Sequence, residues 1–335
     1  MKVIAKTTEL THDEWLDLRK TGIGGSDAGT ILGVNPYSSP YALWADKTGL
    51  VANVFKGNAA TEWGNRLERT VAEAFAEQSG CAVVEWPVML QGRNTWELAN
   101  LDFLLVEASK EFPAGKVTRH DSLEAPNEIN AILECKTTGI VGKGNAIAWD
   151  NNQVPASYYW QGAHYAMVTE IPQVYFACLI GGQGIVVRSR DYTAECLAGL
   201  RDAETSFWEL VEKKSPPEFT GADAEFEVLK SLYPSSTGTS VEVSEFIVDC
   251  LSEYRMAKQE AEEAEAAVKA IRIELEAAIA DADEATWNGQ ALYTYKSNKV
   301  GEQFDTKRFK EENPELWAQY VTERRGARVL RLKGE

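Results

Sequence analysis

The stretch NEINAILECKTT, residues 127–138, constrains the fold of this 335-residue chain more than any other segment. It is typical of a strand, and its interior is apolar on both faces, which indicates a sheet covered on both sides. Glu134 and Lys136 interrupt the apolar run two residues apart, so a strand places both side chains on one face. An acid and a lysine are costly to bury unless they act together. The segment therefore predicts a buried strand that carries a charged site.

The segments around this strand alternate between helix-like and strand-like patterns. Amphipathic spacing predicts helices in NRLERTVAEAFAEQSG, SYYWQGAHYAMVTE and TAECLAGLRDAETSFWELVEKKS. Strand patterns occur in CAVVEWPVML, in WELANLDFLLVE and, as a strand pair, in QVYFACLIGGQGIVVRSRD. This order predicts an α/β fold with a central mixed sheet flanked by helices.

A change in composition divides the chain. Residues 221–240 are small and polar with glycine and proline, so we expect a linker between a domain at 1–220 and a module at 241–335. The module begins with a long helix whose apolar stripe is typical of a helix–helix packing seam. A hairpin around Asn288 and Gly289 follows, and then a helix and a short basic strand.

Charge and cysteine content exclude several classes of protein. The net charge of -17 speaks against a non-specific polyanion binder, because phosphate contacts need Lys and Arg. Thirteen acidic and four basic residues lie between Glu242 and Glu284, so the rest of the chain can still carry a local basic groove. The five cysteines form no C-x-x-C pair, which argues against a disulfide framework, a zinc knuckle or an iron–sulfur cluster. No apolar run reaches transmembrane length, so we expect a soluble, cytoplasmic protein without a membrane partner.

The glycine-rich stretch RKTGIGGSDAG, residues 19–29, indicates a loop that could hold an anion. Its glycine spacing does not match the G-x-G-x-x-G turn of dinucleotide-binding folds, and no strand precedes it. The preceding residues have helical spacing with Thr11 as N-cap, so we expect a second helix to start near Ser26 or Asp27. Two interpretations stay open here: an ordinary capped turn, and a loop whose backbone N–H groups bind an anion.

Asp102 interrupts a second apolar stretch, ANLDFLL. If this strand pairs with the one that carries Glu134 and Lys136, two carboxylates and an ammonium group meet at one point. Carboxylate oxygens suit Mg²⁺, which prefers few carboxylates together with water and phosphate. The lysine could polarise a metal-bound water or offset the charge of a phosphate. A structural ion pair is the alternative for so short a pattern.

The motifs together resemble the PD-(D/E)xK nuclease core, and specifically the phage viral-recombinase exonucleases of the lambda exonuclease or YqaJ family. The resemblance covers about Trp15 to Phe176, half of the chain. The motifs stand in the family's order. They are W-x-x-L-R with the glycine-rich turn (Trp15, Arg19, Ser26, Asp27), EWGNRLER with Glu68, LDFLL with Asp102, LECKTT with Glu134 and Lys136, and YYWQGAHYAM with Gln161 and Tyr165.

This resemblance implies a metal site. Asp102, Glu134 and the backbone carbonyl of Cys135 would ligate Mg²⁺, and Mn²⁺ would substitute for it. Two ions are expected, with Glu68 as a further acid beside them, although on a helix Glu68 could equally be a solvated residue. Lys136 would act on the attacking water.

The resemblance also implies a DNA-binding surface beside the metals. Arg19 would clamp the 5′-phosphate of a DNA end, Ser26 would complete that pocket, and Tyr165 would contribute to DNA binding. Gln161 would contact the DNA or orient the site, with a helix-surface amide as the alternative. His164 is expected to be a core histidine with satisfied hydrogen bonds.

The function implied is a 5′→3′ exonuclease on linear double-stranded DNA, in a bacterial or phage-encoded protein of the host cell. Its expected partners are a single-strand annealing protein and two further copies of itself in a ring. An endonuclease and a non-catalytic DNA-end-binding protein on the same fold are the alternatives. Two features depart from the family pattern: the long polar segment between Asp102 and Glu134, where we expect a hairpin or loop, and the tail beyond the core.

Overall fold

The computed structural model of the chain describes residues 1–51, 59–139, 149, 152–299, 301–322, 326 and 328–333. The chain divides into two compact units, Met1–Pro234 and Ser235–Glu335.

The first unit combines strands and helices along its whole length. Its strands are β1 (Lys2–Lys6), β2 (Ala82–Glu85), β3 (Val88–Gln91), β4 (Leu98–Ala99), β5 (Phe103–Val106), β6 (Val117–Arg119), β7 (Ile129–Thr138), β8 (Gln173–Ile180) and β9 (Gly184–Asp191). Its helices are α1 (His12–Lys20), α2 (Gly25–Ile31), α3 (Pro40–Lys47), α4 (Ala59–Ser79), α5 (Ala156–Thr169), α6 (Ala194–Glu212) and α7 (Asp223–Leu232).

Six of these strands form a mixed sheet in the order β6-β2-β5-β7-β8-β9. The strand β7 lies inside this sheet, antiparallel to β5 and parallel to β8. The strands β1, β3 and β4 form a separate antiparallel sheet. The central sheet therefore places the LECKTT segment between two neighbouring strands.

The strand β7 is buried on both faces, as its sequence predicts. On one face Leu133 and Cys135 share a cluster with Phe75 of α4. On the other face Ile132 shares a cluster with Met167 of α5. Helices therefore cover both sides of a central mixed sheet, and the predicted α/β fold class is confirmed.

Two segments that look like single strands in the sequence are each broken in the structure. CAVVEWPVML forms β2 and β3, which belong to different sheets and are separated by Trp86 and Pro87. Proline lacks the N–H that a ladder needs, and it restricts the residue before it, so the break falls there. WELANLDFLLVE forms β4 and β5, separated by residues 100–102, where the Asn100 side chain donates a hydrogen bond to the carbonyl of Val88 (3.1 Å). Asp102 therefore lies just before β5 and not within a strand.

The long segment between Asp102 and Glu134 contributes to the sheet. Its residues 117–119 form β6, which pairs in parallel with β2 at the edge of the sheet, with Val83 opposite Val117. The insertion is thus anchored on the side of the sheet away from β8 and β9.

The helix α1 begins where the sequence predicts. The Thr11 hydroxyl accepts the N–H of Glu14, and the Glu14 carboxylate accepts the N–H of Thr11, which is a complete capping box. The helix α2 begins at Gly25, slightly before the expected start, and its N-cap is Gly24. Asp27 is not the cap; it reaches back so that its carboxylate accepts the N–H of Gly24 (2.9 Å).

The expected linker at 221–240 is only partly irregular, and the prediction that all of it connects two domains is wrong. Its first half contains α7, in which Val228 is buried in a cluster with Trp44 of α3 and Phe207 of α6. The apolar face of α7 packs onto the first unit, which ends at Pro234. Such a helix was hidden by the small and polar residues on either side of it.

The second unit contains α8 (Glu245–Ile279), β10 (Glu284–Trp287), β11 (Gln290–Thr294), α9 (Thr306–Glu312) and α10 (Pro314–Tyr320). The predicted long helix is confirmed. The predicted hairpin is confirmed as well, because Asn288 and Gly289 join β10 and β11 with φ values of 51° and 78°. Positive φ at both central residues is what a two-residue hairpin turn of this kind requires.

The tail differs from its prediction. Two short helices replace the single expected helix, and they are separated at Asn313, since Pro314 starts a new helix more readily than it continues one. The expected basic strand is not found in the part of the tail that the structure describes.

Candidate active site

The strand β7 carries the two charged residues that open the site. Glu134 is fully buried, and its Oε1 accepts a hydrogen bond from Nζ of Lys136 (2.5 Å). The Lys136 side chain is 18% exposed, and its ammonium lies 5.1 Å from the centre of the Tyr158 ring. The two side chains share one face, as the strand period predicts.

Asp102 joins this pair from the position just before β5, the strand next to β7. It precedes Phe103, which lies opposite Leu133 in the β5–β7 ladder. Its Oδ2 accepts the backbone N–H of Cys135 (2.9 Å). The predicted meeting of Asp102, Glu134 and Lys136 is therefore what the structure contains.

The helix α5 contributes two side chains to the hydrogen bonds of the site. Nε2 of Gln161 donates to Glu134 Oε1 (2.5 Å) and to the Tyr165 hydroxyl (3.1 Å). Gln161 and Tyr165 are both buried. The position of Gln161 suits it to orient Glu134. The burial of Tyr165 does not agree with its expected contact with DNA.

Glu68 lies on α4, and its pKa is affected by the charges of the same cluster. Burial, and then the charge of Asp102, raise the pKa of Glu68 to about 8. Its neighbours Arg66 and Arg69 form ion pairs with acids other than Glu68: Arg66 with Glu62, and Arg69 with Glu73 and Glu85. A cleft of about 390 Å³ is lined by Glu68, Asp102 and Trp15, among other residues.

The positive charge near the carboxyl groups of this cluster is too small to balance them. Burial, and then the charge of Asp102, raise the pKa of Glu134 to about 8 in spite of Lys136. Burial also raises the pKa of Asp102, against the influence of Lys136 and the Cys135 N–H. Burial alone would lower the pKa of Lys136, but Glu134 and Asp102 outweigh it and raise that pKa. Lys136 is thus a permanent cation that offsets only part of the negative charge.

The residues of the cluster suit a divalent cation bound through few protein ligands. Among the described residues no three His, Cys, Asp or Glu side chains stand close enough together to enclose an ion. Mg²⁺ does not need such a cage, since it keeps several waters and uses one or two carboxylates. Glu134 Oε2 is buried without a hydrogen-bond partner, while Oε1 is held by two donors. An orphaned carboxylate oxygen beside Asp102 is the donor set that a hard cation prefers.

The glycine-rich loop places Arg19 beside Ser26. Nη2 of Arg19 donates to Ser26 Oγ (3.1 Å) and lies 3.3 Å from Asp27 Oδ1. The Arg19 guanidinium also lies 5.5 Å from the Trp15 ring and packs against Gly24. The loop therefore holds the guanidinium next to a serine hydroxyl, an arrangement that suits anion binding and a capped turn alike.

Two residues that the sequence motifs did not single out contact the charged residues described above. Lys47 forms a 2.9 Å ion pair with Asp27, and Tyr158 faces the Lys136 ammonium. Lys47 comes from the end of α3 and carries no motif, so only the fold reveals it. His164 is a satisfied core histidine as predicted, because its ring nitrogens contact Glu204 and the Leu98 carbonyl (2.8 Å each).

Fold and site together define an α/β protein whose central sheet holds an acid–lysine cluster beside an arginine-bearing glycine loop. Residues 14–172 match the YqaJ-like viral recombinase domain. The uncharacterized protein YqaJ of Bacillus subtilis (strain 168) is 30% identical over 322 residues, which are 94% of this chain and 92% of that protein. The chain belongs to the YqaJ-like viral recombinase family, and the predicted family is confirmed.

Other proteins are similar to parts of this chain. Protein D345L of African swine fever virus (strain Badajoz 1971 Vero-adapted) is 47% identical over 72 residues, 21% of this chain and 20% of that protein. Among solved structures, an alkaline exonuclease (LHK-Exo) from Laribacter hongkongensis is similar over 65% of this chain and 97% of its own, with 12% identity and a TM-score of 0.45. A phage-related exonuclease from Haemophilus somnus 129PT covers 58% of this chain and 96% of its own, with 13% identity and a TM-score of 0.34.

None of the helices in the described part of the chain combines the length and the apolar character that crossing a bilayer requires.

Proposed function

We propose that the protein is a metal-dependent exonuclease that hydrolyses one strand of linear double-stranded DNA from its 5′ end. The observation that carries the proposal is the cluster of Asp102, Glu134 and Lys136, in which one buried carboxylate oxygen of Glu134 has no partner. Membership of a viral recombinase family supports a nuclease role and DNA as the substrate.

One Mg²⁺ or Mn²⁺ would be held by Asp102, Glu134 and the backbone carbonyl of Cys135. The carboxyl of Glu68 would supply an oxygen ligand to a second ion. A bound ion of this kind acts as a Lewis acid toward phosphate and lowers the pKa of water. The raised pKa of Glu134 and Glu68, about 8 each, supports the need for added positive charge here.

Lys136 would stabilise negative charge on the phosphate undergoing hydrolysis. Its pKa is raised by Glu134 and Asp102, so it stays protonated and is poorly suited to remove a proton from water. A fixed ammonium aimed at the place where charge develops stabilises the transition state more than the ground state. Gln161 holds Glu134 in place while Lys136 acts.

Arg19 and Ser26 would hold the 5′-phosphate of the DNA end. Their side chains already contact one another, so both can present hydrogen-bond donors to one anion. A planar guanidinium can bind a phosphate through two parallel hydrogen bonds. A grip on the terminal phosphate explains how cleavage could begin at an end and advance along one strand.

The product of this reaction is a single strand, and the proposed partner is a protein that anneals single strands during recombination in a bacterial host cell. A homotrimeric ring around DNA is the assembly we propose from the family resemblance. The family description as a viral recombinase supports the recombination context.

The test compares linear and covalently closed circular duplex of one sequence, with Mg²⁺ and with excess chelator. We expect the protein to degrade the linear DNA only, and only with Mg²⁺. Nicking of the closed circle would replace the proposal with an endonuclease. Loss of neither substrate, with DNA ends still bound, would replace it with a non-catalytic end-binding protein.

A further inference from the structure

The charged side chains of Arg19, Asp27 and Lys47 form a compact group at the glycine-rich loop. The Lys47 ammonium lies 2.9 Å from Asp27 Oδ2 and donates to the backbone carbonyl of Arg19 (3.0 Å). Arg19 reaches the same carboxylate at 3.3 and 3.5 Å. The shorter contact belongs to Lys47, so Lys47 is the main counter-charge of Asp27.

The side chain of Arg19 is more exposed to solvent than those of Lys47 and Asp27. The Lys47 side chain is 3% exposed and that of Arg19 is 22% exposed. Burial opposes ionisation of Asp27, but Lys47 and Arg19 together with the Gly24 N–H lower its pKa to about 2. Asp27 therefore carries a full negative charge at neutral pH, and the solvent-facing partner is Arg19.

The charge of the group decides whether an anion can bind. Arg19, Lys47 and Asp27 sum to one positive charge. Of the other titratable groups that act on them, Lys20 and Asp46 add one of each sign, and the buried Glu204 is hydrogen-bonded to His164. Without Lys47, Asp27 would neutralise Arg19, and the loop would offer a phosphate no net charge. Anion binding by a guanidinium depends on that charge being available.

We propose that Lys47 is a positioning residue, which neutralises Asp27 and so keeps Arg19 available for the phosphate of a DNA end. The proposal rests on the proposed function of Arg19. Lys47 also fixes the end of α1 through the Arg19 carbonyl, so it sets both the charge and the place of the guanidinium.

The experiment measures single-turnover digestion of two duplexes that differ only in a 5′-phosphate or a 5′-hydroxyl. Lys47→Met should lower the preference for phosphate roughly tenfold, the scale of one charge-assisted hydrogen bond. The double variant Asp27→Asn with Lys47→Met restores the net charge of the group and should regain most of the preference. Restoration distinguishes a charge effect from damage to the fold.

Each outcome decides one question. A wild-type protein without phosphate preference contradicts the proposed role of Arg19 itself. A wild-type preference that survives in Lys47→Met overturns the role of Lys47 alone. A loss that the double variant does not repair also overturns it, because Lys47 would then act only through stability.

Discussion

Glu134 organises the candidate site because its two carboxylate oxygens have different surroundings. Lys136 and Gln161 both donate to Oε1, whereas Oε2 is buried with no partner. One oxygen is therefore fixed by the protein, and the other is available to a cation. Asp102 is held in a similar way by the Cys135 N–H. The protein thus orients its acids before any metal or DNA arrives.

Arg19→Ala should remove the preference for a 5′-phosphate over a 5′-hydroxyl. About 1.5–3 kcal/mol is expected for hydrogen bonds to a charged group, which corresponds to roughly 10- to 100-fold in rate. The measurement is the ratio of single-turnover rates on the two duplexes. Ser26→Ala should lower the same ratio by less, because it removes one neutral donor.

Arg93→Ala, an exposed arginine in the same unit, serves as the control and should keep the wild-type ratio. If Arg19→Ala also kept the full preference, the loop would not grip the DNA end, and its arginine would serve only to pair with Asp27.

The Glu134–Lys136 pair could be predicted from the sequence because a strand repeats every two residues, and that rule is local. The Asp27–Lys47 pair could not, since it joins residues twenty positions apart without a motif. Burial of Tyr165 behind Gln161 likewise depends on how α5 packs, which no local pattern reveals.

At the scale of elements, α2 and α5 pack so closely that glycine is required between them. A side-chain carbon at Gly25 would lie 2.5 Å from the Tyr165 ring. Tyr165 in turn contacts Gln161, which holds Glu134. The start of α2 is therefore coupled to the candidate active site through two side chains.

Gly25→Ala should destabilise the fold by roughly 1–3 kcal/mol, the usual cost of overpacking, and should also lower nuclease activity. Gly199→Ala is the matched control, because Gly199 lies within α6 with open space around it. That substitution should stabilise the protein by about 0.5–1 kcal/mol and leave activity unchanged. Thermal or urea unfolding with activity assays checks both. A Gly25→Ala protein as stable and active as wild type would show that α2 and α5 are not coupled in this way.

Most elements could be predicted from periodicity, including α8 and the hairpin at Asn288 and Gly289. The breaks between β2 and β3 and between β4 and β5 could not be predicted from periodicity. Hydrophobic runs continue through Pro87 and Asp102, yet the chain changes sheet at the first and enters the site at the second. A break depends on which strands pair, and pairing is a tertiary property.

At the scale of the whole molecule, all residues placed in the candidate site lie in the unit Met1–Pro234. The similarity to YqaJ of Bacillus subtilis extends over 94% of the chain, so the tail belongs to that shared architecture. The proposed chemistry is therefore confined to the first unit, and the second unit carries none of the residues assigned to it.

A fragment of residues 1–234 should therefore fold and keep metal-dependent digestion of linear duplex, because it contains every residue placed in the candidate site. Circular dichroism and the digestion rate are the two measurements. A fragment that is folded but inactive would place part of the catalytic apparatus in the second unit.

The most direct test of the account is the single-turnover rate of nucleotide release from the 5′ end of a linear duplex in Mg²⁺, for wild type and Lys136→Ala. Because Lys136 would act on the transition state, we expect the rate to fall at least ~100-fold, with folding and DNA-end binding retained. Lys110→Ala, an exposed lysine of the same unit, should release nucleotides at the wild-type rate. Release by Lys136→Ala at close to the wild-type rate would contradict the assignment of Asp102, Glu134 and Lys136 as a nuclease centre.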